Sequence, residues 1–405
     1  MLDKACGVDV HRDSLVADII GDASAEKRAR FENSLEGIES MKAWLRENQC
    51  EHVVMESTGV YWVPLYTALE EAGFHVVLAN AYYVKSIPGR VTDTTSSQWL
   101  AQLLRSGFVK PSYVPERGIR DLRELTRLRV KLVQTRADFK NRCHRILESV
   151  NIRLGSRLSD IFGKAGMEIL EGLVNGKTIE EIISQSQNKW LKKRREEIVR
   201  VVGGTLSQVD MFILGKCVDM VKYLDQMICR LDDMIRGLID EDDLNLLATV
   251  PGVDERAAAV ILAEIGDVER FKSGKSLASW AGLVPSVHES AGKNLTGGIT
   301  KRGSKWLRRI MVQVAHAAKR VKNSQLREFY LRVKARKGEK TAVVALARKI
   351  LTIIYHILVN REPYVEEGFK KRLRLRAAVH PSGLSLEDMA EVLRNAGYLV
   401  SPLSD

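Results

Sequence analysis

Few residues of this chain can form a cross-link, a zinc site or a membrane span. The 405 residues include five cysteines, an odd number in which no two cysteines have the CxxC spacing. We therefore expect reduced thiols and no zinc site. An apolar run long enough to cross a membrane is missing, and the N-terminus lacks the apolar core of a signal peptide. These absences predict a soluble intracellular protein with no membrane partner.

The chain also has too few acidic residues to balance its basic ones. Lysine and arginine number 63 against 51 aspartate and glutamate residues, so the formal net charge is +12. This excess favours a polyanionic partner, most simply nucleic acid, over the alternative of a merely basic soluble protein. The length and the 45% hydrophobic content indicate two or three globular domains with their own cores.

Three acidic residues among the first hundred positions stand at the edges of predicted elements. Asp9 lies in the apolar run of residues 5–10, Glu56 closes the apolar run of residues 52–56, and Asp93 opens a helical pattern. Desolvating an unpaired carboxylate is expensive, so buried strands rarely carry one without a role. A hard cation such as Mg²⁺ removes the repulsion between converging acids. We therefore predict a metal-dependent site that acts on phosphodiester bonds.

The order of predicted elements in the first hundred residues indicates an α/β domain. Alternating and helical patterns predict, in chain order, strands at 5–10, 15–20 and 27–31, a helix at 34–47, a strand at 52–55, a helix at 60–72, a strand at 75–79 and a helix at 93–105. This order is typical of a ribonuclease-H-like fold, in which acids of the first strand, the fourth strand and a late helix converge. Asp9, Glu56 and Asp93 occupy those three positions.

A helical region follows the α/β domain. An arginine-rich stretch at 116–150 and a second long pattern at 206–239 predict a helical hairpin, with shorter helices between them. The hairpin is either a coiled coil that dimerises or an intramolecular helical pack. Arg120, Arg123 and Arg127 are candidate phosphate contacts, although a solvated arginine face would look the same.

The segment beyond residue 243 combines a Pro-Gly turn with a glycine-rich basic stretch. Pro251 and Gly252 precede an alanine-rich helix and resemble a helix–hairpin–helix element, whose backbone N–H groups can approach a phosphate. Residues 281–309 interleave glycines, hydroxyls and cations, a pattern that suits a sugar-phosphate backbone or a serine in an exposed turn. The candidate nucleic-acid contacts there are Lys293, Lys301, Arg302, Lys305, Arg308 and Arg309. Helices and a basic tail occupy the remaining residues, 331–405.

Several motifs occur in one characteristic order. They are GVDVHRDSL (7–15), VVMESTGVYW (53–62), GRVTDTTSSQWLAQLL (89–104), TVPGV (249–253) and GGITKRGSKWLRR (297–309). On these motifs the chain resembles the DEDD-type insertion-sequence transposases, which include the Piv-like DNA invertases and the bridge-RNA-guided recombinases. The resemblance implies a RuvC-like domain at 1–112, a coiled-coil region at 113–242, a mainly helical transposase domain at 243–330 and C-terminal helices with a basic tail at 331–405.

The resemblance also implies a chemistry and a set of partners. Mg²⁺ would be held by Asp9, Glu56 and Asp93, and a serine would attack DNA and form a transient phosphoserine link. Position before the Ala-Gly-Lys sequence favours Ser290 as that serine, with Ser286 as the fallback. The implied partners are double-stranded DNA of the element ends and target, a structured guide RNA, and further copies of the chain in a homodimer or homotetramer. The implied location is the prokaryotic cytoplasm, in association with the nucleoid.

One position departs from the family pattern. The fourth acid of the family falls three residues after the third, and Ser96 stands there. Three alternatives follow from this difference: an inactivated variant, a weakened enzyme in which water replaces the carboxylate, and an enzyme in which Thr95 or Ser97 assists. Two other classes stay open: a non-catalytic nucleic-acid-binding protein derived from a transposase, and a metal-dependent junction-resolving nuclease.

Overall fold

The computed structural model describes residues 2–21, 26–56, 59–88, 95–290, 293–300 and 303–366, without the side chains of residues 82, 85, 286–290 and 293–297. The chain forms two compact units, Met1–Pro115 and Glu116–Asp405. The first unit is α/β and the second is mainly helical. A mixed α/β chain with a helical C-terminal part is what the sequence predicted.

The N-terminal unit is built on a five-stranded sheet with the order β3-β2-β1-β4-β5. Strands β1, β2 and β3 pair antiparallel, whereas β4 lies parallel to both β1 and β5. The elements are β1 (Lys4–Val10), β2 (Ser14–Gly21), β3 (Lys27–Glu32), α1 (Leu35–Glu47), β4 (His52–Glu56), α2 (Trp62–Glu71), β5 (His75–Ala79), α3 (Ala81–Ser86) and α4 (Ser96–Arg105). The predicted strands and the three longer helices are confirmed to within a few residues, and the short helix α3 was not predicted.

The two faces of this sheet carry different helices because side chains alternate along each strand. Cys6 and Val8 of β1 belong to the core that includes residues of α1 and α2. On the other face, Val54 packs with Leu100 and Leu103 of α4. Helix α4 therefore covers this face of the sheet, and Val84 of α3 belongs to the same core.

Gly7 in the middle of β1 sets how closely α4 approaches the sheet. A Cβ atom at this position would lie 1.9 Å from the carbonyl oxygen of Ser97 and 2.6 Å from the amide nitrogen of Ala101. No side chain can be accommodated at such distances without moving the helix backbone. The glycine thus allows the first two turns of α4 to rest directly on β1.

The second unit begins with an antiparallel helical hairpin. Helices α5 (Arg117–Ser149) and α10 (Gln208–Arg236) pack along each other, and α6 (Lys164–Val174), α7 (Ile179–Gln185), α8 (Lys189–Lys193) and α9 (Arg195–Val199) lie between them in sequence. Ion pairs join Arg129 to Asp232 and Arg136 to Asp225 across the hairpin. The predicted hairpin is confirmed as an intramolecular pack, and dimerisation through it stays a prediction.

The remaining described residues share one core. Their elements are α11 (Glu241–Ala248), α12 (Glu255–Ile265), α13 (Gly274–Trp280), β6 (Pro285–Ser290), β7 (Lys293–Ile299), α14 (Lys305–Ala318), α15 (Gln325–Lys337) and α16 (Glu339–Asn360). The core runs from Leu244 to Leu358. It crosses the boundary predicted at residues 330 and 331, so the chain up to α16 packs with the preceding helices instead of standing apart.

Helix α16 lies at the centre of that core. Its length and hydropathy would suffice to cross a membrane, which the sequence had not suggested, but half of its most apolar window is buried inside the protein. Leu346, Ile350 and Ile354 are fully buried, and α13, α14 and α15 pack against the helix. A central core helix accounts for this apolar composition without a membrane.

Candidate active site

Asp9 and Glu56 lie side by side at the ends of two neighbouring parallel strands. Val8 pairs with Met55, and the two acids are the next residues of β1 and β4. By alternation, Asp9 shares the face of Gly7 and Glu56 shares the face of Val54. Gly7 and Val54 both lie on the face of the sheet that α4 covers. The structure therefore brings two of the three predicted acids to one face of the sheet.

The environment of this pair is polar and open to water. The Asp9 side chain is 35% exposed, and its Oδ2 lies 3.5 Å from Nε2 of the exposed His11. Glu56 is half-buried. Carboxylate oxygens are the ligands that Mg²⁺ prefers, and access to water suits an ion that keeps part of its hydration shell. The donor set at this edge of the sheet fits a hard divalent cation.

The third predicted acid, Asp93, lies outside the described residues. Helix α4 begins three positions later at Ser96, with Thr95 as its N-cap residue. Among the described residues, no three acidic, histidine or cysteine side chains are grouped closely enough to hold a metal. The proposed metal site thus rests on Asp9 and Glu56 in this structure, and the part of Asp93 stays a prediction.

Sequence reasoning missed a buried acid beside this pair. Asp18 lies on β2 directly opposite Gly7 of β1, and the residue is only 3% exposed. Its Oδ1 accepts a hydrogen bond from Nε of Arg28 at 2.8 Å, and its Oδ2 accepts one from Oγ of Ser97 at 2.5 Å. The only sequence signal was a carboxylate in the middle of the apolar strand SLVADIIG.

The contacts of Thr95 and Ser97 bear on the missing fourth acid. Oγ1 of Thr95 accepts a hydrogen bond from Nη2 of Arg28 at 2.8 Å and one from the amide of Gln98. Ser97 is buried and donates to Asp18. Both hydroxyls are therefore engaged with Asp18 and Arg28. This arrangement counts against the reading in which either residue moves to replace the absent carboxylate.

The glycine-rich segment of the second unit is a β-hairpin, where the sequence had indicated a loop. Strands β6 and β7 pair antiparallel, and Ser290 is opposite Lys293 at the end of the hairpin. Ser286 falls in the irregular part of the pairing between Pro285 and Val287. The side chains of both serines and of Lys293, and the whole of Lys301 and Arg302, lie outside the described parts of the structure. Ser290 stays the predicted nucleophile on its position in the sequence.

Several of the predicted phosphate contacts bind the protein itself. Arg123 donates to the backbone carbonyls of Ala263 and Glu264. Arg127 forms two hydrogen bonds with the carboxylate of Glu264, which is 1% exposed, at 2.8 and 3.1 Å. Arg308 donates to the carbonyls of Ala281 and Gly303. These three arginines hold the second unit together, so a contact with nucleic acid would be an additional role.

Of the other predicted cations that the structure describes, Lys305 is the most exposed. Lys305 is exposed in the first turn of α14, and Arg309 is half-buried one turn later. Arg309 and Trp306 line a groove of about 530 Å³ between α5, α12 and α14. Arg120 is half-buried near the start of α5. Their binding to nucleic acid stays a prediction.

Gly252 of the Pro-Gly turn packs closely against α14. Gly252 has φ of +89°, and a Cβ atom there would lie 2.6 Å from the amide nitrogen of Ala318 and 2.8 Å from the carbonyl oxygen of Val314. The close approach that glycine permits is thus made to α14. At the start of α12, the Asp254 side chain accepts from the amide of Ala257. The turn packs on α14 through Gly252, and an approach of its backbone to DNA stays a prediction.

Comparisons with known proteins match two separate parts of the chain. Residues 6–152 match a family described as "Transposase", that of the DEDD transposases of the IS110 type, and residues 244–331 match "Transposase IS116/IS110/IS902 family". The first match contains both paired acids, and the second contains the hairpin and α14. The fold defines an α/β protein with a helical C-terminal part, and Asp9 and Glu56 lie at one edge of its sheet. The two matches add the particular identity: the chain belongs to the IS110 family of transposases.

Individual relatives are similar over parts of their length. A "Probable family 20 transposase" of Pseudomonas aeruginosa is 30% identical over 156 residues, which are 38% of this chain and 46% of that protein. The "Pilin gene-inverting protein" of Moraxella bovis is 32% identical over 153 residues, 36% of this chain and 48% of that protein. The "Transposase for insertion sequence element IS1111A" of Coxiella burnetii is 34% identical over 126 residues, 30% and 35% of the two chains. Each match covers less than half of the relative.

Proposed function

We propose that this chain is the DNA transposase of an insertion sequence, which cuts and rejoins DNA strands through a transient phosphoserine link. The observation that carries the proposal is the placement of Asp9 and Glu56 on neighbouring parallel strands, on the face covered by α4. Family membership supplies the reaction class. The ribonuclease-H-like character of the first unit is part of the same proposal, which the order of its strands supports.

Asp9, Glu56 and Asp93 would hold Mg²⁺ in this reaction. The bound ion would stabilise negative charge that develops on phosphate oxygens during strand cleavage. The protein's part is to present the carboxylates together, which costs repulsion in the absence of a cation. His11, 3.5 Å from Asp9, keeps a positive or hydrogen-bonding group at the same edge.

The serine accounts for rejoining without an external energy source. Oγ of Ser290 attacks the phosphorus of a DNA strand while the bond from phosphorus to a deoxyribose oxygen breaks, and the serine proton passes by way of a base to that oxygen, which leaves as a hydroxyl. The phosphodiester energy is kept in the serine–DNA bond until a hydroxyl of another strand attacks and restores the serine. No P-loop pattern occurs in the sequence, in keeping with a reaction that needs no nucleotide hydrolysis.

The partners belong to the same proposal. We infer double-stranded DNA of the element ends and target, a structured guide RNA, and a location in the prokaryotic cytoplasm at the nucleoid; the net charge of +12 supports a polyanionic partner. A homodimer or homotetramer is supported by apolar side chains on α10 that this unit leaves exposed, Phe212, Tyr223 and Met234. Light scattering of the full chain tests the assembly, and a strict monomer with and without nucleic acid would remove it.

A second function is favoured by Ser96. A hydroxyl replaces the family's fourth carboxylate at the first residue of α4, so the site has one negative charge fewer. A chain with a weakened metal site could act as a non-catalytic DNA- or RNA-binding protein derived from a transposase. A junction-resolving nuclease, which uses water as its nucleophile, is the remaining alternative.

Covalent protein–DNA adducts separate the transposase from both alternatives. The full chain is incubated with the element ends, the flanking RNA and Mg²⁺, and adducts are detected after denaturation. We expect Ser290→Ala to lower adduct and exchange by about 100-fold or more while DNA binding is retained. Ser286→Ala is the matched control and should react normally. Full exchange by Ser290→Ala would overturn the assignment of the nucleophile.

The same assay with Ser96→Asp separates an impaired transposase from a binder. If Ser96→Asp reacts and the natural chain does not, the chain is a transposase with a disabled metal site. If both react equally, three acids suffice. If neither reacts although both bind DNA, the non-catalytic function is the correct one. The change is compatible with the fold because an acidic residue in the first turn of a helix interacts favourably with the helix dipole.

A further inference from the structure

We propose that Asp18 is a positioning residue of the metal site: it fixes the first turn of α4 on the sheet and so places Ser96 beside Asp9 and Glu56. The proposal rests on the proposed function of that site. Asp18 is not one of the three acids of the family pattern found in the sequence. Its role follows from its contacts, which all lead to α4 or to the strand beside it.

Asp18 uses both carboxylate oxygens within the protein. Oδ1 accepts from Nε of Arg28 at 2.8 Å, and Oδ2 accepts from the hydroxyls of Ser97 at 2.5 Å and Thr95 at 3.3 Å. Arg28 reaches on to Oγ1 of Thr95 at 2.8 Å. With both oxygens engaged in this way, Asp18 acts through α4 and is not itself presented to a cation.

The contacts of Asp18 with α4 lie on both sides of position 96. Thr95 and Ser97 flank Ser96, the first residue of α4 and the place of the missing fourth acid. Because both neighbours are tied to one buried carboxylate, the backbone of Ser96 has little freedom to move away from the sheet. Thr95 is also the N-cap of α4, because its hydroxyl accepts a hydrogen bond from the amide of Gln98. The contact between Asp18 and Thr95 therefore acts on the start of the helix.

Gly7 and Asp18 together support the first turn of α4 on the sheet. They are paired across β1 and β2 and share a face, and the absent side chain of Gly7 lets the Ser97 backbone come down on β1. Asp9 is the next residue of β1 on that face. Gly7 and Asp18 thus determine the distance between α4 and the sheet at a point next to Asp9. A small change in this distance would change the positions of the groups around the bound cation.

The test compares Asp18→Asn with Glu32→Gln in the full-length protein. Asp18→Asn keeps the side-chain shape and removes the charge that Arg28 and both hydroxyls recognise. Glu32→Gln removes the same charge from an exposed side chain on β3 and is the matched control. The first readout needs no metal: hydrogen exchange of the α4 amides. The second is the dissociation constant for Mn²⁺, a probe for the Mg²⁺ site, with Asp9→Asn as the variant that lacks a ligand.

We expect Asp18→Asn to speed exchange in the first turn of α4 more than in its last turn, and to weaken Mn²⁺ binding by about 10-fold at temperatures where the protein is folded. Glu32→Gln should change neither. Unchanged exchange in the first turn would overturn the proposal, and so would faster exchange with unchanged Mn²⁺ affinity, which is the result of a purely structural contact.

Failure of the proposed function gives a different result. If the natural chain binds Mn²⁺ no better than Asp9→Asn, the metal site itself is wrong, and the positioning role falls with it. Hydrogen exchange would then still show whether Asp18 holds α4. If the natural chain binds Mn²⁺, Asp9→Asn does not, and Asp18→Asn lies between them with a loosened first turn, both the site and the role of Asp18 are supported.

Discussion

Each unit of this protein buries one acidic side chain against the start of a helix, and the two differ in how the acid is held. In the first unit, Asp18 binds Arg28 of the adjacent strand, whose side chain is 51% exposed, and the first turn of α4. In the second unit, Glu264 of α12 binds Arg127 of α5 and Oγ of Ser304, the N-cap residue of α14. Asp18 joins two strands of one sheet to α4, whereas Glu264 joins three helices.

The difference shows two ways to fix a candidate functional segment. The contact of Asp18 with Arg28 is set by strand register, because the two residues are opposite each other on β2 and β3, and its contact with Ser97 joins residues 79 positions apart. The Glu264 contacts bring together residues that are 137 and 40 positions apart. Arg127 and Ser304 must therefore both be in place before Glu264 is neutralised, since a buried charge without partners is costly. We expect the second acid to depend more strongly on its arginine.

Removing that arginine should produce the largest effect. Arg127→Ala leaves Glu264 buried with Ser304 as its remaining described side-chain partner, and we expect a loss of about 3 kcal/mol in the free energy of unfolding. Arg28→Ala should cost clearly less, because water can reach the place of its half-exposed side chain. Denaturant unfolding measures both, with the exposed Arg142→Ala on α5 as control. Equal losses for the two arginines would remove the contrast.

Two glycines sharpen the comparison at the helices themselves. Gly7→Ala places a Cβ atom 1.9 Å from the Ser97 carbonyl, and Gly303→Ala, at φ of +80°, places one 1.8 Å from the Trp280 carbonyl. Each should destabilise the protein by about 2 kcal/mol, because the backbone must shift. Gly118→Ala on α5 meets no atom within 4 Å and should stabilise by up to about 1 kcal/mol. Thermal unfolding checks all three, and a neutral Gly7→Ala would show that α4 does not rest on β1.

The reactivity of the cysteines tests the packing of both units. Burial raises the pKa of Cys50 in the first unit to about 11 and that of Cys143 in the second to about 12. Cys6 and Cys217 are buried as well, and Cys229 on α10 is exposed. We expect one thiol to react rapidly with a thiol reagent at pH 8 and five after denaturation. Rapid labelling of the Cys229→Ser variant would contradict the buried placement of the other four.

The smallest effect concerns helix caps and pH. Hydrogen bonds from the backbone and hydroxyl of Thr178 lower the pKa of Glu181 below its ordinary 4.5, and those of Ser207 lower the pKa of Asp210 below 3.8. An acid with a lowered pKa adds stability above its ordinary value, and this stability is lost as the pH falls through the lowered value. Replacing both by their amides should therefore matter slightly at pH 7 and not at pH 2.

The first unit supplies the control for this prediction. Its helix α1 is capped by the hydroxyl of Ser34, which accepts from the amide of Gly37 and does not titrate. Ser34→Ala should cost about 1 kcal/mol at every pH at which the protein is folded. Unfolding measured between pH 2 and pH 7 decides between the two behaviours. A pH-dependent cost of Ser34→Ala would show that something other than the cap is being lost.

Local patterns predicted much of the first unit. Apolar runs with strand patterns identified its five strands, and helical periodicity identified α1. The order of elements also placed Asp9 and Glu56 at neighbouring strand ends. The six-residue helix α3 and the β6–β7 hairpin escaped prediction, since α3 is too short to show a period and the hairpin is rich in glycine and polar residues. The arginines of α5 were assigned to phosphates because many of them fall along one stretch. The partners of Arg123 and Arg127 within the protein lie far away in sequence and could not be predicted from it.

The sequence by itself determined the α/β order of the first unit, the long helices of the second and the positions of Asp9 and Glu56 at strand ends. These features follow from periodicity and from the spacing of a few residues, which are local properties. The tertiary structure decided the contacts of Asp18, Glu264, Gly252 and Arg127. A buried charge or a glycine acquires its meaning from the atoms packed against it, and these come from distant parts of the chain.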